Sequence, residues 1–459
     1  MNRWTAVRAL LGGAILWAIA CSGKSQKSEE GEGPPRGGQS TGGSATSGGS
    51  AGTGGNTTGG MPATGGTPGT GGTSGNSGDG GAAPERTFRK ITLSAEFLCE
   101  GANYGDLDND GDNDIVAGPL WYEGPDFTTS HALYPYVVFD VHGYSDNFFA
   151  FARDLTGDGW NDVLFIGFPG QSAYWFENPA RANAAWTRHD VVAAVGNESP
   201  DYVDITGDGE PELVYIEMQP DNLSGRYGYA GPGADPREPW VFHDLSGFSA
   251  YSHFTHGLGT GDIDGDGKKD LVEATGFWRQ PASLVGDPLW TKVEQPFGQP
   301  GGAQLVTNDL DGDGDQDVVT TLAAHGYGLA WFEQSAGSFV EHDIVPPTAP
   351  ATGELVMHEP HALAMADIDG DGELDIVTGE RHWGHIPENA NFDDPARLYW
   401  FGVTSSGGTV TITPHLVDDQ SGVGTQVVAG DIDGDGLTDI VLANKKGTFV
   451  FLQEASSAE

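Results

Sequence analysis

The sequence predicts an all-β fold, a seven-bladed β-propeller. Three observations predict it. A short acidic motif, Asp-x-Asp/Thr-x-Asp-Gly-x-x-Asp/Glu, occurs seven times, beginning at Asp106, Asp154, Asp204, Asp262, Asp309, Asp367 and Asp431. Successive copies are 47 to 64 residues apart, the length of a supersecondary unit of about four short strands. Each copy runs directly into a β-branched, apolar stretch such as Ile115-Val116, Val163-Leu164-Phe165, Val318-Val319 or Ile440-Val441. Such stretches are strands.

Residues 1–20 read as an export signal. Arg3 and Arg8 give a positive start, and Ala9 to Ala20 is apolar but too short to span a bilayer. Ala18-Ile19-Ala20-Cys21 then resembles a bacterial lipobox, with Cys21 as the lipidated residue. Residues 21–85 carry that cysteine and a Gly/Ser/Thr/Pro linker with almost no large apolar side chains, which cannot bury enough surface to fold. The propeller is expected over 86–455, with 456–459 as a tail. Cys99 is the second of two cysteines. It sits in an apolar run and is expected to be a buried small residue. Lipidation of Cys21 would leave no intrachain disulfide.

Within each unit a first strand enters the acidic loop and a second leaves it. A third is aromatic, as in Tyr174-Trp175-Phe176, Trp331-Phe332 and Tyr399-Trp400-Phe401. A fourth often reads aromatic-x-x-His-Asp-aliphatic, as in Trp186 to Val191 and Phe339 to Ile344. The last unit stops after its third strand. Phe88 to Leu93 matches the fourth-strand pattern, so an N-terminal strand is expected to complete the last blade and close the ring, which removes exposed edges.

Alternating oxygen side chains, a glycine for the sharp turn and a later carboxylate make a calcium loop. The ligands expected are Asp106, Asp108, Asp110 and Asp114 in the first loop, and Asp154, Thr156, Asp158 and Asp162 in the second. The third has Asp204, Thr206, Asp208 and Glu212; the fourth Asp262, Asp264, Asp266 and Asp270. The fifth has Asp309, Asp311, Asp313 and Asp317, the sixth Asp367, Asp369, Asp371 and Asp375, and the seventh Asp431, Asp433, Asp435 and Asp439. Up to seven Ca²⁺ are implied. Much of the net charge of −45 sits in these loops, and without cation they repel themselves. So acidic a chain argues against nucleic acid, which needs a basic stripe.

These repeats resemble FG-GAP/VCBS repeats, the calcium-loop blades of integrin α-chains and many bacterial surface proteins. Thr255 to Asp262, Leu322 to Trp331 and Ser421 to Gln426 are similar to bacterial VCBS-repeat proteins. A fainter similarity is to the propeller domain of aldos-2-ulose dehydratase, a sugar lyase that also has cupin domains; no cupin follows here. The resemblance implies the loops and the fold, not a ligand.

Of 13 histidines, His189, His243, His342 and His415 fall on fourth strands and read as structural. Seven others, His253, His256, His325, His358, His361, His382 and His385, fall in connections that strand order places opposite the acidic loops. Glu380, Arg381, Trp383, Gln304, Gln426, Lys445 and Lys446 belong near them. Clustered imidazoles bind transition metals or act as acid and base at neutral pH. The histidines with Glu380 and Arg381 are the catalytic candidates, although no recognised catalytic motif occurs. The reading is therefore a monomeric, envelope-anchored propeller, on the outer membrane or cell surface, that binds an extracellular carbohydrate or protein. It meets the membrane only through its lipid. The alternatives are a secreted form, a sugar lyase or dehydratase working at the His-rich face, and a structural envelope component.

Overall fold

The computed structural model describes residues 86–455, apart from 181–184, 221–222, 299, 349–354, 356, 383 and 385–394. The export signal, Cys21, the linker, Trp383, His385 and the 456–459 tail lie outside the described residues. No helix among the described residues is long and apolar enough to cross a membrane.

Seven four-stranded antiparallel sheets form the seven blades. Six are sequential meanders. The seventh pairs Val427–Gly430, Asp439–Asn444 and Gly447–Glu454 with the N-terminal strand Thr87–Ser94, which sits outermost. Phe88 lies opposite Gln453 and Ile91 opposite Val450. Lys90 adds an ion pair of 2.8 Å to Asp418 of the sixth blade.

Burial follows strand position. The second strand of each blade is buried along its length or nearly so, as in Asp114–Ala117 and Asp375–Gly379, because neighbouring blades cover both of its faces. The fourth strands alternate between exposed and half-buried residues, as edges do. Seven apolar clusters fill the interfaces between blades. One joins Val428, Val441 and Val450 of the seventh blade to Tyr104 and Ile115 of the first, so the ring has no open interface. First strands crowd the axis and use glycine for it. A Cβ on Gly259 would meet the Leu305 carbonyl oxygen of the next blade at 1.7 Å.

The fourth-strand histidines gain a physical explanation. His189, His342 and His415 lie against Trp175, Trp331 and Trp400, and His243 against Tyr229, with ring centroids 4.0–5.0 Å apart. His131 repeats this on Trp121 in the first blade.

The acidic loops share one geometry. Their sixth residue is a glycine at positive φ in every copy, from Gly111 to Gly436, a conformation that disfavours a Cβ. Its N–H donates to the first aspartate of the loop, at 2.8 Å for Asp154 and Asp262. The ninth residue turns inward. Asp114 accepts from the N–H groups of Leu107 at 2.7 Å and Gly124 at 2.9 Å, and Asp162, Asp317, Asp375 and Asp439 repeat the pattern. Burial pushes the carboxyls of Asp114, Asp162, Asp270 and Asp375 up to about 7.

An amide at the end of the third strand fastens each of several blades to its predecessor. Gln334 donates to the carbonyls of Ile263 at 3.1 Å and Gln316 at 2.9 Å. Asn178, Gln280 and Gln453 make the equivalent pairs of bonds. Sequence reading did not find these fasteners.

Candidate functional site

The face opposite the acidic loops is organised by one register position. The residue six places before the first aspartate lies at or near the start of each innermost strand: Glu100, Phe148, Glu198, His256, Ala303, His361 and Thr425. The ring brings these positions together around the axis, so their chemistry adds up there.

Glu198, His256 and His361 meet His325, which follows the second strand of the fifth blade. One ligand atom from each of the four lies within 4.8 Å of all the others. Ring centroids are 4.7 Å apart for His256 and His325, 4.6 Å for His325 and His361 and 5.7 Å for His256 and His361. Backbone bonds hold the loops in place. The Glu198 N–H donates to Thr255 O at 3.0 Å, Ala324 N–H to Gly301 O at 3.0 Å and Glu359 N–H to Gly326 O at 2.8 Å. Gly301, at φ 122°, lets its loop lie on His256, because a Cβ there would sit 2.7 Å from the His256 carbonyl oxygen.

Two residues beside this group hold left-handed backbone, Asn197 at φ 77° and Glu359 at φ 50°. Such strain costs about 1–3 kcal/mol for a non-glycine residue and collects at functional sites.

Electrostatics divide the group. Burial pushes the Glu198 carboxyl up, but the neighbouring His256, His325 and Arg381 outweigh it and hold the group at about 2. His256 Nε2 lies 3.1 Å from Glu198 Oε2, yet the approach is outside hydrogen-bond geometry and the nitrogen has no aligned partner. His361 is buried; burial first, then the charge of Arg381, pushes it well below the usual imidazole range. Arg381 is itself neutralised by Glu100 at 2.7 Å, with both side chains buried. Ser145 donates its hydroxyl to the other oxygen of Glu100 at 3.1 Å.

The remaining predicted residues go elsewhere. His358 and His382 join a neighbouring group. There Glu380 accepts from Arg397 at 3.0 Å and from the His358 N–H at 3.3 Å. Burial, then Lys446 and Lys445, pushes His382 down to about 3. Glu380 is fully buried and fixes loops. Lys445 is buried too, and its amine lies 4.5 Å from the centre of the Tyr144 ring. Burial pushes that amine down to about 8. Lys446 is half-buried. His253 stands apart, beside Phe254 and over Gly170. Gln304 and Gln426 bond backbone: Gln304 donates to Thr425 O at 3.2 Å, and Gln426 accepts from Ala150 N–H at 3.0 Å. These bonds tie non-adjacent blades across the axis. A cavity of about 2230 Å³ lies on the loop side of them, lined by the innermost strands, and does not include the histidine group.

Sequence reading missed Glu198, Glu100, Ser145 and Tyr144. The register position would have found the two glutamates, since each stands where His256 and His361 stand in their own repeats. Tyr144 heads a half-buried aromatic row with Phe168 at 5.0 Å and, beyond it, Phe254 at 5.8 Å.

Residues 154–215 and 309–378 match the FG-GAP-like repeat, and residues 423–454 match the FG-GAP repeat. No functionally curated protein matches the chain. Among the solved structures similar to this chain are the following three. The BBS1N chain in complex with ARL6DN is 10% identical over 81% of this chain and 98% of its own, at a TM-score of 0.44. AofleA from Arthrobotrys oligospora is 12% identical over 67% and 83%, at 0.37. Rhamnogalacturonan lyase YesW is 14% identical over 80% and 75%, at 0.41.

Proposed function

We propose that this chain, a β-propeller built of FG-GAP repeats, is an exported, calcium-loaded, lipid-tethered protein that binds an extracellular carbohydrate on the face opposite its acidic loops. One observation carries the choice of face. Buried polar groups from several blades converge at the axis beside the half-buried row Tyr144, Phe168 and Phe254. Aromatic rings with one apolar face and a polar neighbour suit the alternating apolar and hydroxylated surfaces of a sugar.

The loops supply stability. In most of them three carboxylates already lie within reach of one cation, and hard oxygen donors in flexible loops select Ca²⁺. The tether is proposed from Cys21 and the core-less linker after it. Mass spectrometry of the mature protein should find an acyl chain that Cys21→Ser abolishes; an unmodified wild-type Cys21 returns the protein to the secreted class.

A glycan array on the calcium-loaded protein tests the binding face. Tyr144→Ala and Phe254→Ala should each weaken the best sugar at least about tenfold, roughly the 1.4 kcal/mol of one lost stacking contact, with the melting temperature nearly unchanged. Sugar binding that survives both changes removes this face from the reading.

One geometry favours a lyase as the second reading. The Lys445 amine stands over Tyr144 in a water-poor setting, as a general base would. Ultraviolet detection of an unsaturated sugar product, lost in Lys445→Met, would support it.

A further inference from the structure

We propose that Glu198, His256, His325 and His361 bind one divalent transition-metal ion, of the zinc or cobalt class, at a site separate from the acidic loops. Three imidazoles and one carboxylate are a donor set that Zn²⁺ and Co²⁺ favour and Ca²⁺ does not. The acidic loops offer oxygen alone.

The spacing is near what one ion needs. Bonds of about 2.0–2.2 Å in a tetrahedron put neighbouring donors about 3.3–3.6 Å apart. His256 Nε2 and Glu198 Oε2 are 3.1 Å apart, and His361 Nε2 and Glu198 Oε2 are 4.0 Å apart. Small side-chain rotations bring the set onto a common centre, since all four donor atoms already lie within 4.8 Å of one another.

His361 points most directly to a ligand. Its side chain is 2% exposed. Its Nδ1 lies 3.1 Å from the Glu359 carbonyl oxygen, which can only accept, so Nδ1 carries the proton. The Nε2 lone pair is therefore aimed into the group, where it has no hydrogen-bond partner. A backbone carbonyl that fixes the tautomer in this way is the usual support of a metal-binding imidazole. A buried acceptor left alone is costly, and a metal ion relieves that cost at His361.

Charge is compatible as well. Arg381 is the nearest fixed cation and is neutralised by Glu100. Glu198 remains, so the group carries one negative charge when its imidazoles are neutral. Three donors come from buried or half-buried positions and His325 is exposed. The ion would therefore be held from below and reachable from solvent.

The competing account is a plain ion pair between Glu198 and a protonated imidazole, and metal titration separates the two. The full chain is kept in millimolar Ca²⁺ so that the loops stay filled, cleared of transition metals with phenanthroline and titrated with Co²⁺. The expected result is one equivalent bound, with visible ligand-field bands of a nitrogen-rich, low-coordinate site, displaced by one equivalent of Zn²⁺. His256→Ala and His361→Ala should each weaken Co²⁺ at least about a hundredfold, beyond the tenfold to hundredfold typical of outer-shell changes. Glu198→Gln keeps the side-chain volume and should weaken it at least about tenfold with an unchanged melt, which decides the matter if an alanine variant fails to fold. Asp262→Asn, in an acidic loop, should leave the Co²⁺ spectrum intact. Substoichiometric Co²⁺ without visible bands, or bands that persist in Glu198→Gln and His256→Ala, overturns the proposal.

Discussion

On the acidic-loop face every repeat contributes the same chemistry, while on the opposite face each contributes a different residue at one shared position. The loop face is periodic: glycine at the sixth residue, an N–H cage on the first aspartate, an inward carboxylate at the ninth. The opposite face is aperiodic: Glu100, Phe148, Glu198, His256, Ala303, His361 and Thr425 occupy equivalent places with unrelated properties. The difference teaches where each kind of function resides. A sevenfold device serves the scaffold, because all blades need the same support. A singular site arises where equivalent positions converge on the axis and diverge in chemistry.

The largest expected effect is on the loop side. Stripping calcium with a calcium-selective chelator should lower the melting temperature far more than removing a transition metal does. Each independent site at a hundredfold excess over its Kd adds about 2.7 kcal/mol, and several sites act together. Differential scanning calorimetry with and without chelator checks this. An unchanged melt, with less than one calcium per chain by elemental analysis, would refute calcium loading.

Deleting the N-terminal strand comes next. Removing residues 86–94 strips the outer partner from Gly447–Glu454, whose residues are nearly all buried, and exposes a long apolar edge. Aggregation or loss of a cooperative melt is expected. Deleting residues 22–80 should change the melt little, since their composition offers no core residues. Equal tolerance of both deletions, by light scattering and calorimetry, breaks the idea that this strand seals the ring.

The legibility of the two faces differs for the same physical reason. Periodic features repeat their signal, so Asp262 and Gly267 could be read seven times over, and blade number followed. The axial group offers one copy of each residue. His256, His325 and His361 stood out because histidine is scarce, but Glu198 was hidden among 66 acidic residues. The inter-blade amides were hidden as well, since an amide side chain at a strand end carries no marker of what it bonds. His358 and His382 shared the predicted face yet joined another group, because a loop's side-chain directions depend on packing that strand order does not fix.

A fastener such as Gln334 predicts a middling effect. Gln334→Leu removes one bond to the preceding blade and one within its own blade, and leaves the carbonyls of Ile263 and Gln316 without that donor. A loss of about 2–4 kcal/mol is expected from two bonds of this kind plus an unmet buried acceptor, with no change in Co²⁺ binding. Urea denaturation measures the first and the visible spectrum the second. A loss of Co²⁺ binding would mean that the two faces are coupled.

The smallest effect belongs to Lys445. Burial depresses its amine to about 8 from the free value near 10.4. The folded state therefore resists protonation, and the penalty is fully present below about pH 8. As pH rises from about 8 towards 10.4 the unfolded chain loses its proton too, and the penalty fades. Lys445→Met should thus be more stable than the wild type by about 1–3 kcal/mol near pH 7, and the gap should narrow near pH 10. Paired urea melts at the two pH values check the sign. A gap that stays constant, or one that widens, would mean that Lys445 is held as a compensated cation, and the axial face would then lose its candidate base while keeping its metal ligands.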